Sequence, residues 1–268
     1  MAASLIALGA LGLGGGDRPE PVQVLGTSWH RLADGRAAVL VRFEVQRDWH
    51  MYWTNPGDSG APPTARAELP AGWKLGEPVW PRPSVHTLNG DSLFIHEGEW
   101  GWLVPVEGPA PRAVPDQPVQ LDLSWMACKE ACVLGRRQVK VAPPAGEPSP
   151  APTRVGGSAF PATPAAGDRI LVEGGTLRLD VDARGCTEAR FLQATDPGVS
   201  VGSRNPVRMT VAGGRATLEL PLEIRPQDAL GKPLAASGLV LLGPGQGDPC
   251  VWIRASVPQS ASKPAVAP

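Results

Sequence analysis

Two cysteines separated by three residues are the part of this chain best suited to chemistry. The stretch Cys128-Lys-Glu-Ala-Cys132 follows an apolar run typical of a β-strand, Leu121–Met126. A disulfide there would close so small a ring that its entropic contribution is only about 2 kcal/mol, and strain would remove part of that. A bond that stabilises so little is better explained by thiol–disulfide exchange than by a structural role. Two other interpretations stay open, namely a soft-metal site and two inert core thiols.

The metal interpretation points to Cu(I). Met126, Cys128 and Cys132 offer the thioether and thiolate ligands that Cu(I) prefers, as in a copper-tolerance protein. Such sites also need a histidine, and none follows the second cysteine, although the distant His50 or His96 could contribute. The histidines show no ligand spacing, so no other metal site is predicted.

Composition excludes one class of partner and favours one class of fold. The 268 residues carry a net charge of −1 without any run of lysine or arginine, which argues against nucleic acid, because phosphate binding needs clustered cations. The 31 prolines and 32 glycines interrupt short apolar runs, and helix-period stripes are scarce. This pattern predicts an all-β chain with many turns.

The chain divides at a segment made almost entirely of proline, alanine, glycine, serine and threonine. Such a segment has too few large apolar groups to pack, which indicates a semi-extended linker. We therefore expect two immunoglobulin-like β-sandwich domains joined by this Pro/Ala/Gly-rich linker. The predicted parts are a leader at 1–20, a first domain at 21–142, the linker at 143–168, a second domain at 169–256 and a disordered tail at 257–268.

The apolar leader predicts export. Residues 1–16 resemble the hydrophobic region of a secretory signal, although a positively charged start and a clear cleavage site are missing. The segment is too short to span a bilayer, and no later segment could do so. Four cysteines are consistent with an oxidising compartment. We expect a periplasmic or otherwise exported protein without a transmembrane span of its own.

The other two cysteines predict a structural bond. Cys186 and Cys250 lie 64 positions apart, each beside a strand candidate. A bridge between them would close a long loop and contribute roughly 4 kcal/mol in the chain-entropy model. A second exchange pair is the alternative, but no flanking motif supports it.

Four blocks of the first domain carry a family resemblance. They are a His-x-Tyr-Trp-x-Asn-Pro-Gly-Asp-Ser-Gly block, a Gly-Trp segment followed by Trp-Pro-x-Pro, a Gly-containing aromatic loop and a Trp-x-x-Cys-Lys-Glu-x-Cys block, at His50–Gly60, Gly72–Pro83, Leu88–Glu99 and Ser124–Cys132. In this order they resemble the N-terminal periplasmic domain of the DsbD and ScsB thiol–disulfide reductases. The resemblance covers about residues 22–142, and the cysteine spacing is similar to that of the ScsB proteins.

The resemblance implies an immunoglobulin-like sandwich whose cysteine pair shuttles between dithiol and disulfide. By position, Cys128 and Cys132 would be the catalytic pair, and Cys132 would form the mixed disulfide. The loop around Phe94 would be a cap that shields the pair, with Tyr52 and Asp91 as pocket neighbours. No cofactor beyond the redox-active disulfide is implied.

The resemblance also implies the partners. A membrane-embedded electron donor of the DsbD type would reduce the pair, and thioredoxin-like periplasmic proteins would receive the electrons. The chain would then be one link of a relay, the protein-disulfide reductase component. Lys129 and Glu130 cancel in charge, so we expect an ordinary thiol that is activated mainly by docking of a partner.

Overall fold

The computed structural model describes residues 20–88, 90–201, 206–225, 228 and 233–258. Regular structure in these residues is β-strand apart from a single 3-10 residue, Asp228, which confirms the predicted all-β class. Among them, no apolar helix reaches the length needed to span a bilayer. The predicted leader up to residue 19 and the predicted tail from residue 259 lie outside the described residues, as does Asn89 in the predicted cap loop.

Two sheets form the first half of the fold. One has five strands in the order β11-β1-β2-β8-β5. Its strands are β1 (Val22–Arg31), β2 (Ala37–Val45), β5 (Lys74–Leu75), β8 (Gly98–Glu107) and β11 (Ser149–Pro150). The other has six strands in the order β10-β9-β3-β7-β6, with β4 also paired to β9. Its strands are β3 (His50–Gly57), β4 (Thr64–Glu68), β6 (Ser84–Leu88), β7 (Asp91–His96), β9 (Val119–Cys128) and β10 (Cys132–Val141).

Alternation along the strands builds the core between these two sheets. In β9, every second residue from Val119 to Ala127 is buried, as a half-buried strand requires. Phe43 of β2 meets Trp125 of β9 with ring centroids 5.8 Å apart, so the aromatic side chains of the two sheets interlock. The face of β9 that turns away from this core carries Cys128.

The second half of the fold contains two four-stranded sheets, in the orders β14-β15-β20-β19 and β18-β16-β22-β23, and a short pair, β17 with β21. The strands are β14 (Arg169–Glu173), β15 (Thr176–Asp182), β16 (Ala189–Gln193), β17 (Val199–Ser200), β18 (Val207–Arg208), β19 (Thr210–Ala212), β20 (Arg215–Pro221), β21 (Glu223–Ile224), β22 (Ala235–Leu242) and β23 (Cys250–Ser256). Leu192, Leu239 and Leu241 join the same hydrophobic cluster as the core of the first two sheets.

The segment predicted to be a semi-extended linker packs against its neighbours, which corrects that expectation. A short hairpin, β12 (Arg154–Val155) with β13 (Ser158–Ala159), follows β11, and β11 itself pairs with β1 in parallel. Val155 is 7% exposed and packs with Leu40 and Leu103. Small side chains are enough to hold the segment in place, because it packs on a surface that other strands provide and its backbone forms strand hydrogen bonds.

A buried arginine joins the two halves of the chain. Arg82, only 3% exposed, donates side-chain hydrogen bonds to the backbone carbonyls of Leu242, Gly243 and Pro249. Its backbone N–H donates to the carbonyl of Ala159. Since a buried cation is costly unless its donors are satisfied, these bonds favour one arrangement of the second half on the first.

Candidate functional site

The two cysteines close a β-hairpin. Cys128 is the last residue of β9 and Cys132 the first of β10, and the two lie directly opposite each other in the ladder. They form a disulfide with a Cα–Cα distance of 4.1 Å. The three loop residues between them, 129–131, are exposed. Cys132 is also exposed, whereas Cys128 is only 3% exposed, so Cys132 is the more accessible of the two residues.

The buried sulfur lies in a small cluster on the outer face of the six-stranded sheet. Tyr52, Leu93, Ile95 and Cys128 form this cluster, and Met126 packs against it. We call this surface the disulfide face. The structure thus places Tyr52, a pocket candidate from the sequence, beside Cys128.

A histidine that the sequence analysis considered only as a distant copper ligand also belongs to this face. His50 lies directly opposite Cys128 in the β3–β9 ladder, and its Nε2 is 3.2 Å from the hydroxyl oxygen of Tyr52. The period-2 pattern of His50-x-Tyr52 predicts that these two side chains share a face. It does not reveal the strand register that places Cys128 next to them.

The glycine-rich loop after β3 holds the tyrosine in place. Gly57 and Gly60 both have positive φ, and a Cβ on Gly60 would lie 2.2 Å from the Tyr52 ring. The loop is tied to β7 because the backbone N–H of Ser92 donates to the carboxylate of Asp58 at 2.8 Å. The motif around Asn-Pro-Gly-Asp-Ser-Gly therefore packs a loop closely over the ring of Tyr52.

Phe94 does not lie at the surface, which corrects the prediction of an exposed cap residue. It is 0% exposed and belongs to the core between the two large sheets. The reason is strand alternation, because Leu93 and Ile95 on either side point to the disulfide face and Phe94 therefore points away from it. Asp91 is exposed at the start of β7, opposite Leu88 in the ladder, and its role in a pocket stays a prediction.

The charges beside the hairpin loop are paired with each other. Lys129 Nζ lies 3.2 Å from Asp48 Oδ2, and both side chains are largely exposed. An exposed pair of this kind exerts only a weak field on its surroundings. The expectation that Lys129 does little for the thiols is consistent with this geometry.

The other two cysteines are free thiols, which corrects the predicted structural disulfide. Cys250 is buried in the core that the first half of the fold shares, and its thiol lies 3.8 Å from the carbonyl oxygen of Ala159. Cys186 packs against a different hydrophobic cluster. Burial raises the pKa of Cys250 to about 12, against a small opposing effect of Arg82. Such a thiol is unreactive at neutral pH.

Within the described part of the chain, no group of three or more His, Cys, Asp or Glu side chains is arranged to hold a metal ion. Met126 packs beside Cys128, as the copper interpretation requires, but the two cysteine sulfurs are bonded to each other.

A cleft of about 810 Å³ lies elsewhere on the molecule. It is lined by residues of the first half, the 150–164 segment and β23, including Trp80, Phe160 and Trp252. Its charged residues are paired within the protein, for example Arg254 with Glu77 at 3.2 Å. The cleft shares no lining residue with the cysteine hairpin.

Comparisons with known proteins agree with this geometry. The model of the family described as "Thiol:disulfide interchange protein DsbD, N-terminal" matches residues 21–144, a little under half of the chain. No curated protein matches the chain. Among solved structures, the N-terminal periplasmic domain of ScsB from Proteus mirabilis is 15% identical, with a TM-score of 0.54 over 89% of this chain and 94% of that chain.

The N-terminal domain of DsbD from Neisseria meningitidis, in the reduced form, is 16% identical over 43% of this chain and 83% of that chain, with a TM-score of 0.29. The ScsB likeness shows that nearly the whole chain shares the fold of that domain, and the predicted immunoglobulin-like β architecture is confirmed. Residues 21–144 of this chain are thus similar to the N-terminal domain of the DsbD thiol:disulfide interchange proteins, as the sequence blocks predicted.

Proposed function

We propose that this chain is an exported thiol–disulfide interchange protein that relays reducing equivalents between protein partners through Cys128 and Cys132. The observation that carries the proposal is the hairpin disulfide between one exposed and one buried cysteine. It lies in the part of the chain that matches the model of a thiol:disulfide interchange family.

The exposure of the two sulfurs assigns them different steps. A donor thiolate attacks the exposed Cys132 sulfur, the disulfide breaks, and Cys128 leaves with the electron pair and takes up a proton. A second donor thiolate then attacks the donor sulfur of the mixed disulfide, so the donor is oxidised and the pair becomes a dithiol. In the second half of the cycle, the Cys132 thiolate attacks the disulfide of an acceptor. Cys128 resolves that mixed disulfide and restores the Cys128–Cys132 bond. Two electrons and two protons pass from donor to acceptor.

The proposed partners follow from the family and from the chemistry. A membrane-embedded donor of the DsbD type would supply the electrons, and a thioredoxin-like protein with its own cysteine pair would accept them. The proposed compartment is the periplasm, which is the source of the ScsB domain that this chain resembles.

An exposed leucine marks where such a partner would dock. Leu134 is 80% exposed on β10, two residues after Cys132 and opposite Met126. Because side chains two apart share a strand face, Leu134 lies on the same side as Cys132. A partner whose cysteine reaches the exposed sulfur must cover this leucine. Apolar contact next to polar surface is typical of transient interfaces.

Trapping tests the proposal. Replacing Cys128 by serine leaves Cys132 able to form a mixed disulfide that cannot be resolved, so this variant should accumulate a covalent complex with a thioredoxin-like protein. The Cys132→Ser variant should form none, and the Cys186→Ser variant should cycle as the wild type does. The proposal would be contradicted if the Cys186→Ser variant trapped as much partner as Cys128→Ser, or if Cys128→Ser trapped none. Copper retained after anaerobic reduction and dialysis would instead favour the Cu(I) alternative.

A further inference from the structure

The strand register places His50 directly opposite the buried Cys128. His50 and Cys128 are directly opposed residues of antiparallel strands, so their Cβ atoms lie about 4.5–5.5 Å apart on one face of the sheet. Cys132 faces Cys128 from the other side, in β10. Cys128 is therefore flanked by its disulfide partner Cys132 on one strand and by His50 on the other.

The surroundings of His50 keep its ring available at neutral pH. Burial lowers the pKa of His50, an effect that Glu97 opposes and His86 reinforces. The imidazole is thus neutral near pH 7 and able to accept a proton. Burial also raises the pKa of Tyr52, so the phenol next to His50 stays protonated.

The hydrogen bond to the tyrosine fixes one ring nitrogen and leaves the other for chemistry. If Nε2 carries the proton and donates to the Tyr52 oxygen, which lies 3.2 Å away, Nδ1 is an acceptor. The other titratable groups on neighbouring elements have partners of their own. His86 on β6 lies 3.4 Å from Glu97, which follows β7, and Lys129 beyond the end of β9 pairs with Asp48.

We propose that His50 accepts the proton of the Cys128 thiol and returns it, which assigns the proton transfer of the resolving step to a specific side chain. This inference rests on the proposed exchange function and deepens it. When a mixed disulfide between Cys132 and a partner is resolved, His50 takes the proton from the Cys128 thiol. The resulting thiolate attacks the Cys132 sulfur, the bond to the partner breaks, and the partner sulfur leaves with the electron pair. His50 then releases its proton to solvent and is neutral again.

In the reverse direction the same atoms balance. A donor thiolate bonds to the Cys132 sulfur, and Cys128 leaves as a thiolate. His50 takes up a proton from solvent, gives it to that thiolate and is neutral again. His50 therefore acts on Cys128 and has no part in the first attack by Cys132.

Reaction of the reduced chain with 5,5′-dithiobis(2-nitrobenzoate) separates these two steps when every protein compared carries Cys186→Ser, because Cys186 is a free, partly exposed thiol that would also react. The first release of thionitrobenzoate reports attack by Cys132, and the second reports resolution by Cys128. The His50→Gln variant should slow the second release about tenfold or more at pH 7, the scale of a lost general base, and leave the first release unchanged. The His30→Gln variant is the matched control, because His30 lies on β1 in the other large sheet, and it should behave as the wild type does.

The pH profile adds a readout that a structural role would not change. In the wild type the rate of the second release should rise with pH and level off above the pKa of His50. That plateau should begin at a lower pH than the pKa of a free thiol. In His50→Gln it should keep rising toward the ordinary thiol pKa of about 8.5. A His50→Gln chain with the wild-type second phase and profile, or with both phases slowed equally, would overturn the role of His50. A wild-type chain in which neither sulfur reacts would overturn the exchange function itself.

If His50→Gln does not fold, the wild-type profile alone decides. If the rate of the second release rises tenfold per pH unit up to about pH 8.5, the proposal is overturned, because such a profile would show that Cys128 ionises without a base.

Discussion

The two faces of the six-stranded sheet use the same strands for different purposes. The inner face carries Phe94, Trp53 and Trp125, all packed in the core. The disulfide face carries Cys128 with Tyr52 beside it, and exposed Cys132 at the edge strand. A shift of one residue along β7 separates Ile95 on the disulfide face from Phe94 in the core. Replacements on the inner face should therefore change stability, and replacements at the disulfide face should chiefly change exchange.

The largest effect is expected from Phe94→Ala. This side chain is fully buried, so its removal should lower the free energy of unfolding by about 3–5 kcal/mol. Denaturant unfolding measures the loss. The folded fraction should still release thionitrobenzoate at the wild-type rates in both phases. Wild-type stability together with impaired exchange would mean that Phe94 is a cap residue after all.

A lower pH should reduce the free energy of unfolding through His96, which is buried beside the inner face. This ring is 0% exposed and stacks on Trp100, and in the described part of the chain neither ring nitrogen has a hydrogen-bond partner. Burial lowers the pKa of His96 from 6.5 to about 3. Between these values the unfolded chain binds a proton that the folded chain does not. Stability should therefore be unaffected by this group above pH 6.5 and should fall by about 1.4 kcal/mol per pH unit below it.

The His96→Phe variant isolates that contribution. It should lose this part of the pH dependence and keep the part that carboxylates cause at lower pH. The comparison is made by denaturant unfolding of both proteins between pH 7 and pH 4. Parallel pH dependences for the two proteins would mean that His96 titrates normally in the folded chain.

A smaller effect is expected at the loop that covers Tyr52. Gly60 has a φ of +97°, and the added methyl of Gly60→Ala would collide with the tyrosine ring. The unfavourable backbone conformation alone costs about 1–3 kcal/mol, and displacement of Tyr52 should also change the rate of the second thionitrobenzoate release. Gly146→Ala is the control, because a methyl there would contact nothing within 4 Å. Equal effects of the two changes would contradict the close packing of the loop on Tyr52.

The smallest effect on the isolated protein is expected from Leu134→Glu. Because Leu134 is exposed, its replacement should leave the unfolding midpoint unchanged and should not slow the reaction with the small reagent. Exchange with a thioredoxin-like protein should slow about tenfold, the scale of one interface anchor. Leu25→Glu serves as control, since Leu25 is 44% exposed on β1 of the other sheet. Slower protein exchange in both variants would indicate a general effect of charge.

The sequence predicted the class of fold and the bonded cysteine pair because both depend on local patterns. Alternation at Ala38–Val45 and the cysteine spacing need no knowledge of tertiary contacts. Phe94 was misplaced because a single aromatic residue in a polar loop gives no indication of the face of its strand. The role of His50 depends on the register between strands that are about 70 residues apart in sequence, which no local pattern contains.

The predictions of a semi-extended linker and of a second disulfide were wrong for a related reason. Small residues such as Val155 and Ala159 are buried by a surface that other parts of the chain provide. Cys186 and Cys250 have a suitable spacing for a bridge, but spacing says nothing about whether two side chains pack in the same cluster. The sequence did not predict the burial of Arg82, since a lone arginine in a Pro-bounded segment is usually exposed.

Differential alkylation with mass-spectrometric mapping of all four sulfurs tests the central claim most directly. The chain is equilibrated with a reduced and, separately, with an oxidised thioredoxin-like protein, and then alkylated after denaturation. The account predicts that Cys128 and Cys132 are alkylated only in the first sample, and that Cys186 and Cys250 are alkylated in both. A Cys128–Cys132 bond that persists in excess reduced partner, or a bond that cycles between Cys186 and Cys250 instead, would contradict it.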